Sequence, residues 1–343
     1  MHIQRAESLQ PFNSLALQAS ADALVTVNSV AELLDACRWA REHKYAVVPL
    51  GQGSNVVLAG DLAALVIRQR SRGIEQVSET STTVTLRVAA GEDWHHLVQW
   101  TLRHDLYGLE NLALIPGTVG AAPIQNIGAY GVELQSFVSK VHAIAIASGE
   151  AVSLSNSECA FAYRDSVFKH ALQDQLVITS IELTLSRRPE VHIEYPALKA
   201  AFSASDGQLV TPQAVFDAVV AIRSSRLPDP ALVPNAGSFF KNPYVSQAQA
   251  AELAARFPEL PNYAQPDGRV KLAAAWLIEY CGWKGYQDNG LGIHPEHALV
   301  MVNYGNGSGA QLLELASRVR DTVAETFAIV LQIEPRIYGA FNG

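Results

Sequence analysis

The chain has 343 residues, 49% of them hydrophobic and 17% charged, with a formal net charge of -8. That length suffices for two or three domains with full cores, and the acidic balance argues against a broad nucleic-acid surface while leaving room for local positive pockets. Three scattered cysteines, Cys37, Cys159 and Cys281, give no disulfide framework and no zinc knuckle, and fit reduced thiols in the cytoplasm. No opening segment has the make-up of a signal peptide, and no run of about twenty apolar residues could span a bilayer.

The first ten residues are mixed and are expected to be loose. A strand pattern follows from Ala23 to Val27, and Ser29 is placed to cap a helix whose apolar face includes Leu33, Leu34 and Cys37. Tyr45 to Leu50 reads as a buried strand, leading into the turn Gly51-Gln-Gly-Ser-Asn55. Strand, not helix, follows this turn, so the helix N-terminus of a dinucleotide-binding βαβ unit is missing. The alternation from Ile74 to Ala90 marks a hairpin. A helix then carries Trp94, Leu97, Val98 and Leu102 inward, with His95 and His96 as solvated residues pointing about 100° apart.

Glu110 to Gly131 is a glycine-rich, apolar segment with a single charge at its start. It is expected to be an irregular loop whose glycines bring backbone amides close to a large cofactor carrying a pyrophosphate, or else a packed structural loop. A second hairpin surrounds Ser148-Gly-Glu150, and Leu176 to Ser186 closes this α+β region near Arg188. Pro212 opens a helix that ends before Leu227-Pro-Asp-Pro230. Further helices are expected over SQAQAAELAARF, over VKLAAAWLIEYCG and from Gly309 on, with a closing strand in IVLQIEPRIYGAF. His294 and His297 flank Glu296, but Pro295 and the strand-like continuation argue against a metal site there.

Several stretches, in order, resemble one family: Gly51-Gln-Gly-Ser-Asn55, Glu110 to Gly117 with Gln125 to Gly131, Tyr163-Arg-Asp-Ser166, Asn235-Ala-Gly-Ser-Phe-Phe-Lys-Asn-Pro243 and Glu334. Over about Asn13 to Phe341 the chain is similar to the UDP-N-acetylenolpyruvoylglucosamine reductases, in their longer type I form. The resemblance implies an α+β fold of three domains. Two bind FAD in the PCMH or vanillyl-alcohol-oxidase manner, at 1–72 (with 322–343 returning) and 73–205; a substrate-binding α+β domain takes 206–321. It also implies a cytoplasmic monomer acting on a small molecule in peptidoglycan precursor synthesis, with no nucleic-acid or membrane partner and no metal. An FAD-dependent alcohol oxidase of the same superfamily is the alternative.

The implied reaction is ping-pong: NADPH reduces non-covalently bound FAD, and the flavin N5 then passes a hydride to the enolpyruvyl group of the UDP-sugar, giving UDP-N-acetylmuramate. Arg164 would stabilise the growing enolate, as a fixed planar cation suits a carboxylate. Ser238 would donate the proton. Glu334 would stand at the substrate carboxylate, protonated or sharing a proton, because an ionised carboxylate would repel the enolate. Tyr195, Arg226, Asn242 and His297 match substrate-binding positions, with Lys241 as an extra phosphate partner. FAD would be held by Gly51, Gly53, Ser54, Asn55, Pro116, Gly117, Gly120, Gln125, Asn126, Ile127, Gly128, Ala129 and Arg336, and the amides of Ala121 and Ala122 would share its contacts.

Overall fold

The computed structural model describes residues 1–203, 209–305 and 307–339. The first residues are not loose, since β1 (Gln4–Ser8) is the edge of a sheet. Then follow β2 (Ser20–Val27), α1 (Val30–Glu42), β3 (Ala46–Leu50), β4 (Val56–Leu58), β5 (Leu62–Gln69), β6 (Ile74–Glu79), β7 (Thr83–Ala89) and α2 (Trp94–Arg103). Both helices start as the sequence directs: the Ser29 and Asp93 side chains accept the Glu32 and His96 amides at 3.2 and 2.8 Å.

The glycine-rich segment is not the irregular loop expected. Two 3-10 turns, Glu110–Leu112 and Val119–Gln125, and the short pair β8 (Gly128–Ala129) and β9 (Val132–Glu133) organise it. After it come β10 (Val138–Ala145), β11 (Ala151–Ser155), β12 (Leu176–Ser186), α3 (Pro196–Phe202), α4 (Pro212–Arg226), β13 (Asn235–Ser238), β14 (Tyr244–Val245) and α5 (Gln247–Arg256). The chain continues through β15 (Asn262–Ala264), β16 (Val270–Leu272), α6 (Ala274–Tyr280), β17 (Gln287–Asp288), β18 (Leu291–Ile293), β19 (Val300–Asn303), α7 (Gly309–Phe327) and β20 (Arg336–Tyr338).

Two expected elements are shorter. Val270–Leu272, read as the start of a helix, is a strand that pairs with both β14 and β15. The closing strand keeps only Arg336–Tyr338, paired in parallel with β4.

The described chain divides into two compact units. The first comprises Met1–Glu7, Ala21–Gln52 and Ala63–Ser225. Its sheet β1-β2-β5-β3 packs α1 over Val25, Leu65 and Ile67, and its antiparallel sheet β11-β10-β12-β7-β6 packs α2, the glycine-rich segment and α4 over Val88, Ile181 and Leu183. The second comprises Ser8–Ser20, Gly53–Leu62 and Arg226–Gly343. It holds β13-β19-β18-β17, β14-β16-β15 and β20-β4, with α7 burying Leu312, Ala316, Val319, Val323 and Phe327. The boundary expected at 205/206 falls outside the described residues. Helix α4 goes with the first unit, because its Val215, Phe216 and Val219 are buried in that core.

Candidate active site

In the first unit the glycine-rich segment is pinned from several sides. The Trp94 indole donates to the Leu112 carbonyl at 2.9 Å, and the Trp94 amide to Gly117 O at 3.0 Å. Gln52 accepts the Gly117 amide at 3.0 Å and donates to Asp93 at 2.7 Å. Glu110 does not face a ligand: it is buried and both its oxygens accept the Gly108 amide, while burial pushes its carboxyl pKa up. Asn111 donates to the carbonyls of Tyr130 and His192, which ties the approach to Tyr195 to the same segment.

His95 is not the solvated helix residue expected. Its Nδ1 accepts the Leu114 amide at 3.0 Å, and its ring stacks on Phe216 of α4 at 5.4 Å between centroids. Burial lowers its pKa, with Arg223 among the charges that lower it further, so the ring stays neutral and keeps its acceptor.

Arg164 stands in a tight turn in which Ala162 and Asp165 exchange backbone hydrogen bonds, and its φ of 53° lies in the left-handed region. A non-glycine residue held there stores strain of order 1 kcal/mol, a common mark of functional positions. Its Nη2 donates to the Gly128 carbonyl at 2.6 Å. Glycine at 128 makes room for this, since a Cβ there would lie 3.1 Å from Nη1 and 3.0 Å from the Val132 carbonyl. Asp165 is engaged by His170 at 2.8 Å, as an ion pair if the imidazole is protonated. The Tyr130 ring meets Tyr195 edge-on at 5.3 Å, and Tyr195 is otherwise exposed.

Of the residues expected at FAD, Asn126 is fully enclosed. Its side chain is spent on Glu133, the Ala162 carbonyl and the Gln135 amide, so it shapes the segment from within. The Ala121 amide closes a turn onto Thr118 O at 3.0 Å, and the Gly120 amide donates to Ala90 O at 2.8 Å. Gly51 packs against the Thr118 side chain.

In the second unit Ser238 ends β13 opposite Val300, and the next residue, Phe239, accepts the Glu334 amide at 2.9 Å. The bridge Phe240–Ile333 and the bond from the Lys241 amide to Gln332 O continue that alignment. Two of the three expected catalytic residues therefore lie on adjoining chain segments. Arg336 donates its amide to Asn55 O at 3.0 Å, bringing two of the expected FAD residues together, with Gly53 and Ser54 just before Asn55. Asn242 Oδ1 accepts the Ala274 amide at the start of α6. His297 is partly enclosed, and burial first, then His294 and Arg226, lower its pKa, so two expected substrate residues share one electrostatic neighbourhood.

Residues 229–338 match the family model described as UDP-N-acetylenolpyruvoylglucosamine reductase, C-terminal domain, and residues 21–155 match the FAD binding domain. A UDP-N-acetylenolpyruvoylglucosamine reductase of Pseudomonas fluorescens is 45% identical over 98% of this chain and 99% of its own length. The chain belongs to this reductase family. A Shewanella reductase of the same name is 48% identical over 97% of this chain and 96% of its own. The fold is also that of the Thermus caldophilus reductase crystal structure, with a TM-score of 0.70 at 24% identity, covering 99% of this chain and 100% of that one.

The chemistry of the donor set fits the family's cofactor. Gly51, Pro116, Gly117, Gly120, Ile127, Gly128 and Ala129 offer uncharged backbone and Gln125 an amide, while the segment's one carboxylate is turned onto Gly108. No negative charge of the segment opposes a pyrophosphate. Four residues that sequence reasoning did not assign to the site emerge here: Gln52, His95, Tyr130 and Arg223. Gln52 and Tyr130 lay inside the family-like stretches 51–55 and 125–131, and Arg223 is a second cation three residues before Arg226 on one helix; His95 carried no such signal.

Proposed function

We infer that this chain catalyses the NADPH-dependent reduction of UDP-N-acetylglucosamine enolpyruvate to UDP-N-acetylmuramate with FAD, a step of peptidoglycan precursor synthesis. The observation that carries the reading is identity of 45 to 48% with named reductases over nearly the whole chain. FAD, when bound, would supply the hydride, drawn from NADPH.

The chain's own residues then face two demands: stabilise the carbanion generated beside the substrate carboxylate, and protonate it. Arg164 meets the first, a fixed cation aimed where charge grows. Its strained turn and its bond to Gly128 O hold the guanidinium before substrate arrives. Ser238 meets the second by giving its hydroxyl proton to the carbon. Glu334, whose backbone is bonded next to Ser238, stands at the same carboxylate, protonated or sharing a proton with it, because an ionised carboxylate would repel the enolate. Tyr195, Arg226, Asn242 and His297 hold the UDP-sugar, and the shared field of Arg226 and His297 supports a common ligand.

FAD would be held by Gly51, Gly53, Ser54, Asn55, Pro116, Gly117, Gly120, Gln125, Ile127, Gly128, Ala129 and Arg336, with Asn126 acting behind the segment. The three-domain division belongs to this reading and is supported by the two separate cores within the first unit. So do a monomeric state and a cytoplasmic location; among the described residues no helix is long and apolar enough to cross a membrane.

The test is anaerobic. NADPH should bleach the yellow protein, and the enolpyruvyl sugar should restore its colour. In Ser238→Ala the bleaching should persist and the recovery collapse; equal slowing of both steps would remove Ser238 from the proton-donor role.

A further inference from the structure

Helix α4 places Phe216, Val219 and Arg223 along one stripe, as positions seven apart fall on the same face of a helix. Phe216 fixes where that stripe points, because its ring lies on His95, which holds the Leu114 amide of the glycine-rich segment. Two turns further along, Arg223 reaches the electrostatic neighbourhood of His95, Tyr130 and Arg164. Its Nε is buried and finds no hydrogen-bond partner among the described residues.

This is a costly arrangement. A guanidinium whose Nε is buried loses part of its hydration, and a second guanidinium close by adds repulsion instead of repayment. Burial is the main cause lowering the Arg223 pKa; Tyr130 opposes it and Arg164 adds to it. The carboxylates of the vicinity are spent elsewhere, Glu110 on the Gly108 amide, Glu133 on Asn126 and Gln135, and Asp165 on His170. A third, negative partner is needed, and a planar fork of donors suits an oxyanion.

We propose that Arg223, beside Arg164, grips an oxyanion of one of the two anionic substrates, a phosphate or carboxylate of either NADPH or the UDP-sugar. The proposal rests on the reductase reading above and adds a ligand-binding residue to it. Arg226, three positions on and exposed, is a separate contact.

The two half-reactions separate the sources. Wild-type protein is first confirmed to consume NADPH beyond the one equivalent that bleaches its flavin only when the enolpyruvyl sugar is supplied; failure there would remove the reductase reading and not the Arg223 assignment alone. Arg223→Lys and Arg223→Gln are then prepared with bound FAD, and their FAD content and melting temperatures are compared with wild type. In rapid-mixing experiments the substrate concentration giving half-maximal rate should rise at least about tenfold in one half-reaction for Arg223→Gln, with the other moving less than about twofold. Arg223→Lys should recover part of the loss. A rise in the NADPH arm assigns the cofactor's phosphates; a rise in the sugar arm assigns the UDP-sugar. Should Arg223→Gln fail to fold, the melting-temperature rise that NADPH or UDP-N-acetylmuramate gives Arg223→Lys decides the matter. Unchanged concentration dependence in both arms, equal loss in both, or ligand-induced melting shifts equal to wild type would each overturn the proposal.

Discussion

His95 shows how a residue ordinary in sequence becomes critical in place. Its neutral ring accepts the Leu114 amide, and burial lowers its pKa from the ordinary 6.5. The folded state therefore holds fewer protons on this ring than the unfolded chain, so stability rises with pH through that window. The contribution is complete above pH 6.5 and is lost as pH falls below it toward the lowered folded value. His95→Phe keeps a ring against Phe216 but neither titrates nor accepts. Its melting temperature should fall less steeply between pH 7 and 5 than that of wild type, with a plateau lower by about 1–3 kcal/mol of stability from the orphaned Leu114 amide. Arg164 makes a different prediction, confined to chemistry. Arg164→Lys keeps the charge but loses the planar guanidinium and its Nη2 bond to Gly128 O, so reoxidation of the flavin by the enolpyruvyl sugar should slow about 10²–10³-fold. Reduction by NADPH followed at 450 nm (the usual flavin band, about that wavelength) should change far less; an equal loss would make the residue structural.

At the scale of elements, α7 carries much of the second unit. Its capping box at Ser308 and Gln311 sets the start, and Phe327 at its end packs among Phe257, Trp276 and Tyr280. Phe327→Ala should cost about 3–5 kcal/mol in denaturant unfolding. This helix was legible beforehand, because nineteen residues of one amphipathic period override local noise. So were α1 and α2, whose caps are local signals. Val270–Leu272 was not: two apolar residues flanking Lys271 and running into AAAWL carry no strand period of their own, and only the partners Tyr244–Val245 and Asn262–Ala264 make them a strand. β1 was hidden for a like reason, since a mixed edge strand gains its order from its neighbour in the sheet. The motifs of the candidate site were readable residue by residue, as with Ser238 and Glu334. His95, Tyr130 and Arg223 were not, because what makes them part of it is the ring or guanidinium they meet in space.

At the scale of the whole molecule, segments distant in sequence complete the second unit. Parallel pairing of Arg336–Tyr338 with Val56–Leu58 and the Arg336 amide on Asn55 O join its last strand to the expected FAD turn. Truncation after Pro335 should therefore yield protein that elutes colourless, with FAD absorbance lost and the first unit still giving circular dichroism; a truncated form that stays yellow would refute the assignment of this strand.

Asn303 reaches back 288 positions to donate to the Leu15 carbonyl, and two short early stretches sit inside a unit built mainly from the chain's later half. Such distant closure is entropically slow to reach. A gene split between codons 225 and 226 would give a downstream product without its early pieces, unable to mature alone. Recombination at that point is thus a poor route for shuffling this substrate module onto other flavoproteins, although the two halves co-expressed could still reassemble into one.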